Sequence, residues 1–208
     1  MFRPTPVIAV IALAVAGAAV AQPGMLAAAE AFKRLGEAAF SAPDSDLKAA
    51  VARASAMVAG VRATLPPGAA RDMDAELRTL AAASRAGDRA SIALASAEAY
   101  RILVGLSNPA SKIPPEVRLL DYARLRYKGD LLARPPGWDD ARDAVAFARE
   151  RWTTLRPRIG SGSLRLKIDD VLDELDSAAA DRDPARGDQA ANDLLDLIDQ
   201  LEAYFAAP

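Results

Sequence analysis

The chain contains no histidine and no cysteine, and these two absences exclude a long list of chemistries. Without histidine it lacks the side chain that ordinarily titrates near neutral pH, and it lacks the commonest metal ligand. Without cysteine there is no disulfide, no thiolate nucleophile and no soft metal ligand. Haem attachment of the c type, His–Met haem ligation, the usual zinc sites and blue-copper sites are therefore excluded. So are Glu-x-x-His di-iron sites and the Ser–His–Asp and Cys–His catalytic groupings. Walker A, dinucleotide-binding, Ser-x-x-Lys and Gly-x-Ser-x-Gly patterns are also missing. Gly160-Ser161-Gly162-Ser163 reads as a loop and not as a phosphate cradle. No cofactor is expected, and nothing in the sequence nominates a catalytic residue.

A strong charge of either sign is lacking too. The formal charge is −2 over 208 residues, which gives no electrostatic reason to expect nucleic acid or an anionic membrane as partner. Long apolar runs are confined to the start. Arg3 is followed by an uninterrupted apolar or small stretch from Val7 to Val20 and an Ala19-Val20-Ala21 cleavage pattern. These are the three regions of a secretory signal peptide, expected over residues 1–21 and removed from the working chain. Removing them takes away one Arg and no acid, leaving a formal charge of −3. No cysteine follows the apolar stretch, so a lipoprotein anchor is not expected. Arginine outnumbers lysine 21 to 5, a bias of GC-rich bacterial genomes. The expected location is therefore the periplasm or the medium, for a chain that is not membrane-embedded after cleavage.

No apolar/polar alternation of period two occurs, so strands are not expected. Helical periodicity runs instead through the rest of the chain, and the spacing predicts an all-α bundle of about eight helices over residues 22–208 as one domain. A first helix is expected over Met25–Phe40, although Gly36 inside it costs about 1 kcal/mol relative to alanine and requires tight docking in return. A second runs from Asp44 or Ser45, as cap, to about Leu65. Its apolar residues Leu47, Val51, Ala54, Val58, Val61 and Leu65 recur at the 4-3 spacing of a packed seam. Others are expected over Ala69–Ala86, from the cap Asp88 to Leu106, from Pro115 through the Leu131 region, over Trp138–Arg156, over Leu164–Ala180 and over Ala185–Phe205.

Shifting the second helix by 94 residues carries its seam onto Ala141, Val145, Ala148, Trp152, Leu155 and Ile159. A shift of 95 carries Met73, Leu77 and Leu80 onto Ile168, Leu172 and Leu175, and Ala95, Ala99, Ile102 and Leu106 onto Ala190, Leu194, Leu197 and Leu201. The register survives several helices with one inserted residue, which suggests two pseudo-repeated three-helix units at 46–106 and 140–201. A central hub at 113–138 would join them.

Aromatic residues are only 5% of the chain, and the stretch from Ile113 to Trp152 holds both tryptophans, two of the four tyrosines and Phe147. Tyr122, Arg126, Tyr127, Arg134 and Trp138 are the candidate ligand- or partner-binding residues. Tyr and Trp offer an apolar body with a polar tip, and Arg can clamp an anion through two N–H groups. Trp152, on a seam, is expected to be core, and Arg118, Arg124 and Arg126 to lie on a solvated face. The expected function is non-enzymatic binding of a partner protein or small ligand. One alternative is a carboxylate cation site built from Asp169, Asp173, Asp176, Asp196 and Asp199, because a hard cation takes six to eight oxygens. A second alternative is a hydrolase that uses an Asp/Glu pair.

Overall fold

A computed structural model describes residues 23–106 and 111–207; the expected signal peptide lies outside the described residues. Among the described residues there is no strand and no helix long and apolar enough to cross a membrane. The helices are α1 (Pro23–Ser41), α2 (Asp44–Val61), α3 (Pro67–Ala86), α4 (Arg89–Gly105), α5 (Pro115–Leu132), α6 (Trp138–Leu155), α7 (Gly162–Asp181) and α8 (Pro184–Ala206). Single 3-10 turns at Arg62–Thr64 and Arg156–Arg158 extend α2 and α6.

Local chemistry sets most of these boundaries. Pro66 and Pro114 stand just outside α3 and α5, with Pro67 and Pro115 at the first helical position, where a missing N–H costs nothing. Asp88 accepts the Ser91 N–H at 3.1 Å, Ser161 accepts that of Leu164 at 3.3 Å, and Asp183 accepts those of Ala185 and Arg186 at 3.1 Å. Asp44 is not a cap as expected. It is the first residue of α2, outside which stands Pro43 with no side-chain cap bond. The α3–α4 turn passes through Gly87 at φ 70°, and the α7–α8 turn through Arg182 at φ 54°. Each of these left-handed residues is followed by an Asp cap.

The helices form two sets of four. In the first, α1 packs on α2 and α4, and α3 packs on α4 and α2. In the second, α5 packs on α6 and α8, and α7 packs on α8 and α6. Each set encloses its own apolar cluster. The 4-3 seam of α2 and the matching residues of α6 are buried throughout, from Leu47 to Leu65 and from Ala141 to Ile159. The described helices thus pack as four and four: α1 docks alongside α4, and α5 lies beside α8.

The two sets meet along α5, which lies on both α4 and α1. Tyr122 and Leu125 of α5 belong to the first set's core, whereas Val117, Leu120, Ala123 and Tyr127 belong to the second's. Three glycines permit this approach. A Cβ at Gly36 of α1 would lie 3.2 Å from Leu125, one at Gly129 of α5 would lie 2.8 Å from Leu94 of α4, and one at Gly187 of α8 would lie 2.7 Å from the Tyr127 hydroxyl. The helix-propensity cost of each glycine is the condition for close packing around α5. Gly187→Ala is expected to destabilise the protein by about 1–3 kcal/mol, measured by urea denaturation. The added methyl must displace a rigid ring whose hydroxyl donates to the Leu175 carbonyl at 3.1 Å.

Candidate functional site

The sequence expects arginines on a solvated face of α5, and for Arg124 the structure corrects this. Arg124 is 1% exposed. Val117, Leu120, Arg124, Tyr127 and Leu131 follow a 3-4-3-4 spacing, so Arg124 occupies a seam position between Leu120 and Tyr127. Its Nε donates to Asp121 Oδ1 at 2.9 Å, and it is also ion-paired with Glu37 of α1. Asp121, likewise 1% exposed, pairs through Oδ2 with Lys33 of α1 at 2.9 Å. Burial works against the charges on Lys33 and Arg124, but Asp121 (with Glu37 for Arg124) outweighs it and raises both pKa values. One turn on, Lys128 bridges to Asn192 and Asp188 of α8 at 2.7 and 2.9 Å and lies over the Phe40 ring. This side of α5 is an ionic seam against α1 and α8.

The other side of α5 faces α4 and α6 and carries a second polar row, Tyr122, Arg126 and Asp130, at i, i+4 and i+8. The Tyr122 hydroxyl donates to Glu98 Oε1 at 2.6 Å. Arg126 donates to the Tyr122 oxygen at 3.3 Å and lies 3.5 Å from Glu98 and 4.0 Å from Asp140. Burial and the Glu98 bond push the Tyr122 pKa up. Its ring meets Phe147 of α6 edge-on with centroids 5.1 Å apart. Arg101 of α4 caps the Tyr122 ring at 5.8 Å, and Arg151 of α6 caps Phe147 at 5.1 Å. Glu98 holds Arg101 as well, at 2.8 Å. The result is a cluster where the two helix sets meet: the buried Tyr122 ring and the half-buried Phe147, with the partly exposed guanidinium groups of Arg101, Arg126 and Arg151 around them. Glu98, Arg101 and Phe147 were not singled out by the sequence. Only the pairing of α4 with α5 and of α5 with α6 brings them together.

Of the five residues expected to bind, Tyr122 and Arg126 lie together in this cluster, Tyr122 buried and Arg126 partly exposed. Tyr127 does not join them. It points to the opposite side of α5, where it is buried between Gly187 and the Leu175 carbonyl. Arg134 lines a different hollow of about 520 Å³, with Arg89, Ser91 and Leu94. Trp138 is the first residue of α6 and half-buried against the second core.

The five aspartates considered for a cation are likewise dispersed. Asp169 accepts the Trp152 Nε1–H at 2.6 Å and pairs with Arg156 at 3.0 Å; burial is outweighed by these partners, which lower its pKa. Asp173 pairs with Arg149 at 2.7 Å. Asp176 lines a groove between α6 and α7, Asp196 one between α7 and α8, and Asp199 is exposed. Among the described residues no group of three or more acidic side chains is arranged to hold a metal ion. Comparison with protein families, with curated proteins and with solved structures finds no match for this chain.

Proposed function

We propose that this is a non-enzymatic, exported helical-bundle protein that binds a partner protein through the surface where α4, α5 and α6 meet. The observation that carries the reading is the Tyr122–Phe147 pair bracketed by Arg101, Arg126 and Arg151. Aromatic rings and guanidinium groups concentrate binding energy at protein interfaces, and here they line the division between two helix sets. A helix surface rimmed by arginines suits a protein partner better than it suits a small molecule, which is ordinarily enclosed on most sides. The non-enzymatic part rests on the missing histidine and cysteine and on carboxylates held by arginine. Export rests on the signal pattern of residues 1–21, and it places the partner in the periplasm or medium.

The reading includes an internal duplication of four helices and not three. The 3-10 turns begin 94 residues apart, at Arg62 and Arg156. Helices α3 and α7 begin 95 apart, as do α4 and α8. Gly87-Asp88 and Arg182-Asp183 repeat one turn design at the same separation. The α4–α6 surface then lies where two copies of one bundle meet.

The test is native mass spectrometry of the protein purified from its own host, beside an Arg101→Ala/Arg151→Ala variant. The expected result is a complex that the double variant loses while its melting temperature stays within about 2 °C, since both side chains are partly exposed. A clean monomer mass would overturn the reading. A small excess mass retained by the variant would do the same and direct attention to a small ligand elsewhere.

A further inference from the structure

Asp130 stands in the last turn of α5, 4% exposed, and its Oδ2 is buried with no hydrogen-bond partner. The charged groups facing it are Glu98 from α4, Asp140 and Asp143 from α6, and Arg126 one turn back on α5. That is three acids against one base. Arg126 is engaged by the Tyr122 oxygen, Glu98 and Asp140. The C-terminal turn of a helix is, besides, its negative end, where a carboxylate is disfavoured. Burial first, with Asp140, Asp143 and Glu98 beside it, pushes the Asp130 carboxyl up to about 7 although Arg126 pulls the other way.

The position of this acid gives the shift a mechanical meaning. The Asp130 carbonyl accepts the Gly137 N–H at 2.9 Å, and the Gly137 carbonyl accepts the Ala141 N–H at 2.9 Å. These two bonds tie the end of α5 to the start of α6. A Cβ on Gly137 would lie 3.7 Å from the Asp130 Cβ and 3.3 Å from an Asp140 carboxylate oxygen. The acid is thus wedged under the joint that it helps to fasten.

We propose that Asp130 is a proton-operated latch: as a neutral acid it lets residues 133–137 close over it, and on ionisation it loosens the joint between α5 and α6. The sign follows from linkage. In the closed joint the carboxyl keeps its proton up to about 7, whereas in the open joint it ionises near its ordinary 3.8. Opening therefore becomes easier as pH rises from about 4 to about 7, and it changes no further above that. The latch does not depend on what the neighbouring surface binds.

Amide hydrogen exchange of the wild-type protein tests it, with protection at Gly137 and Ala141 corrected for the intrinsic pH dependence of exchange. Between pH 5 and pH 8 protection at these amides should fall at least about tenfold, while α7 amides around Leu172 stay level. Asp130→Asn keeps the shape of the neutral acid and should hold the same protection at both pH values. Equal wild-type protection at the two pH values, or an undiminished fall in Asp130→Asn, overturns the proposal. A second handle is Asp140→Asn, at an exposed position. It removes one opposing charge and should move the midpoint of the wild-type transition to lower pH, and an unmoved midpoint contradicts the mechanism.

Discussion

Arg124→Ala is expected to cost about 3–5 kcal/mol of folding stability, read as a lower urea midpoint with an unchanged slope. Its weight comes from what stays behind. Asp121 remains at 1% exposure and loses the guanidinium that donates to its Oδ1, leaving Lys33 alone on Oδ2. Glu37 is partly solvated and can turn to water, but Asp121 cannot. The loss is therefore mainly the penalty of an under-compensated buried carboxylate and only secondarily a loss of packing. The same logic predicts rescue. Asp121→Asn combined with Arg124→Met removes both buried charges at similar volume and should recover most of the stability. One Arg124 nitrogen, Nη1, is buried without a partner even in the native protein, so the ionic seam is not fully satisfied and its replacement forfeits little. If Arg124→Ala costs under about 0.5 kcal/mol, water reaches this seam far more freely than the packing indicates.

Trp152→Ala is expected to cost about 3–5 kcal/mol, measured in the same way, and Trp138→Ala about 1 kcal/mol. The contrast is one of place and not of residue type. Trp152 sits on the buried seam of α6, within the second core, and its indole N–H donates to Asp169 at 2.6 Å. Truncation opens a ring-sized void among close-packed aliphatic side chains and removes one of the groups that hold Asp169 down. Trp138 opens the same helix at its solvent-facing end, half-buried. Trp152→Phe should retain most of the packing and lose the indole bond, at about 1–2 kcal/mol. Equal losses at the two tryptophans would mean that the start of α6 is as tightly built as its middle.

What the sequence disclosed and what it withheld divide along α5. For α2 and α6 one face is core and the other is water, so the 4-3 seam from Leu47 to Leu65 and its counterpart from Ala141 to Ile159 are legible from spacing alone. Helix ends were legible wherever a turn residue and a cap coincide, as at Gly87-Asp88, but not at Asp44, where Pro43 had already taken the capping place. Helix α5 has neighbours on several sides and no single apolar stripe. A charged residue there reads as surface by habit, and only the 3-4 spacing through Leu120, Arg124 and Tyr127 argues otherwise. Tyr122 and Tyr127 look alike in sequence, five residues apart, and point to different cores. Which core each joins depends on where α1, α4, α6 and α8 are placed, and a pattern confined to one helix does not carry that information. Glu98 and Phe147 were missed for the same reason.

The sharing of α5 between the two cores also makes the halves unequal as fragments. Tyr122 and Leu125, which fill part of the first set's apolar interior, come on the helix that begins the second set. A fragment cut after α4 would hold four helices around an unsealed apolar side, and one cut after α5 would close it. The halves resemble one another in layout, yet the earlier one is not complete without the first helix of the later.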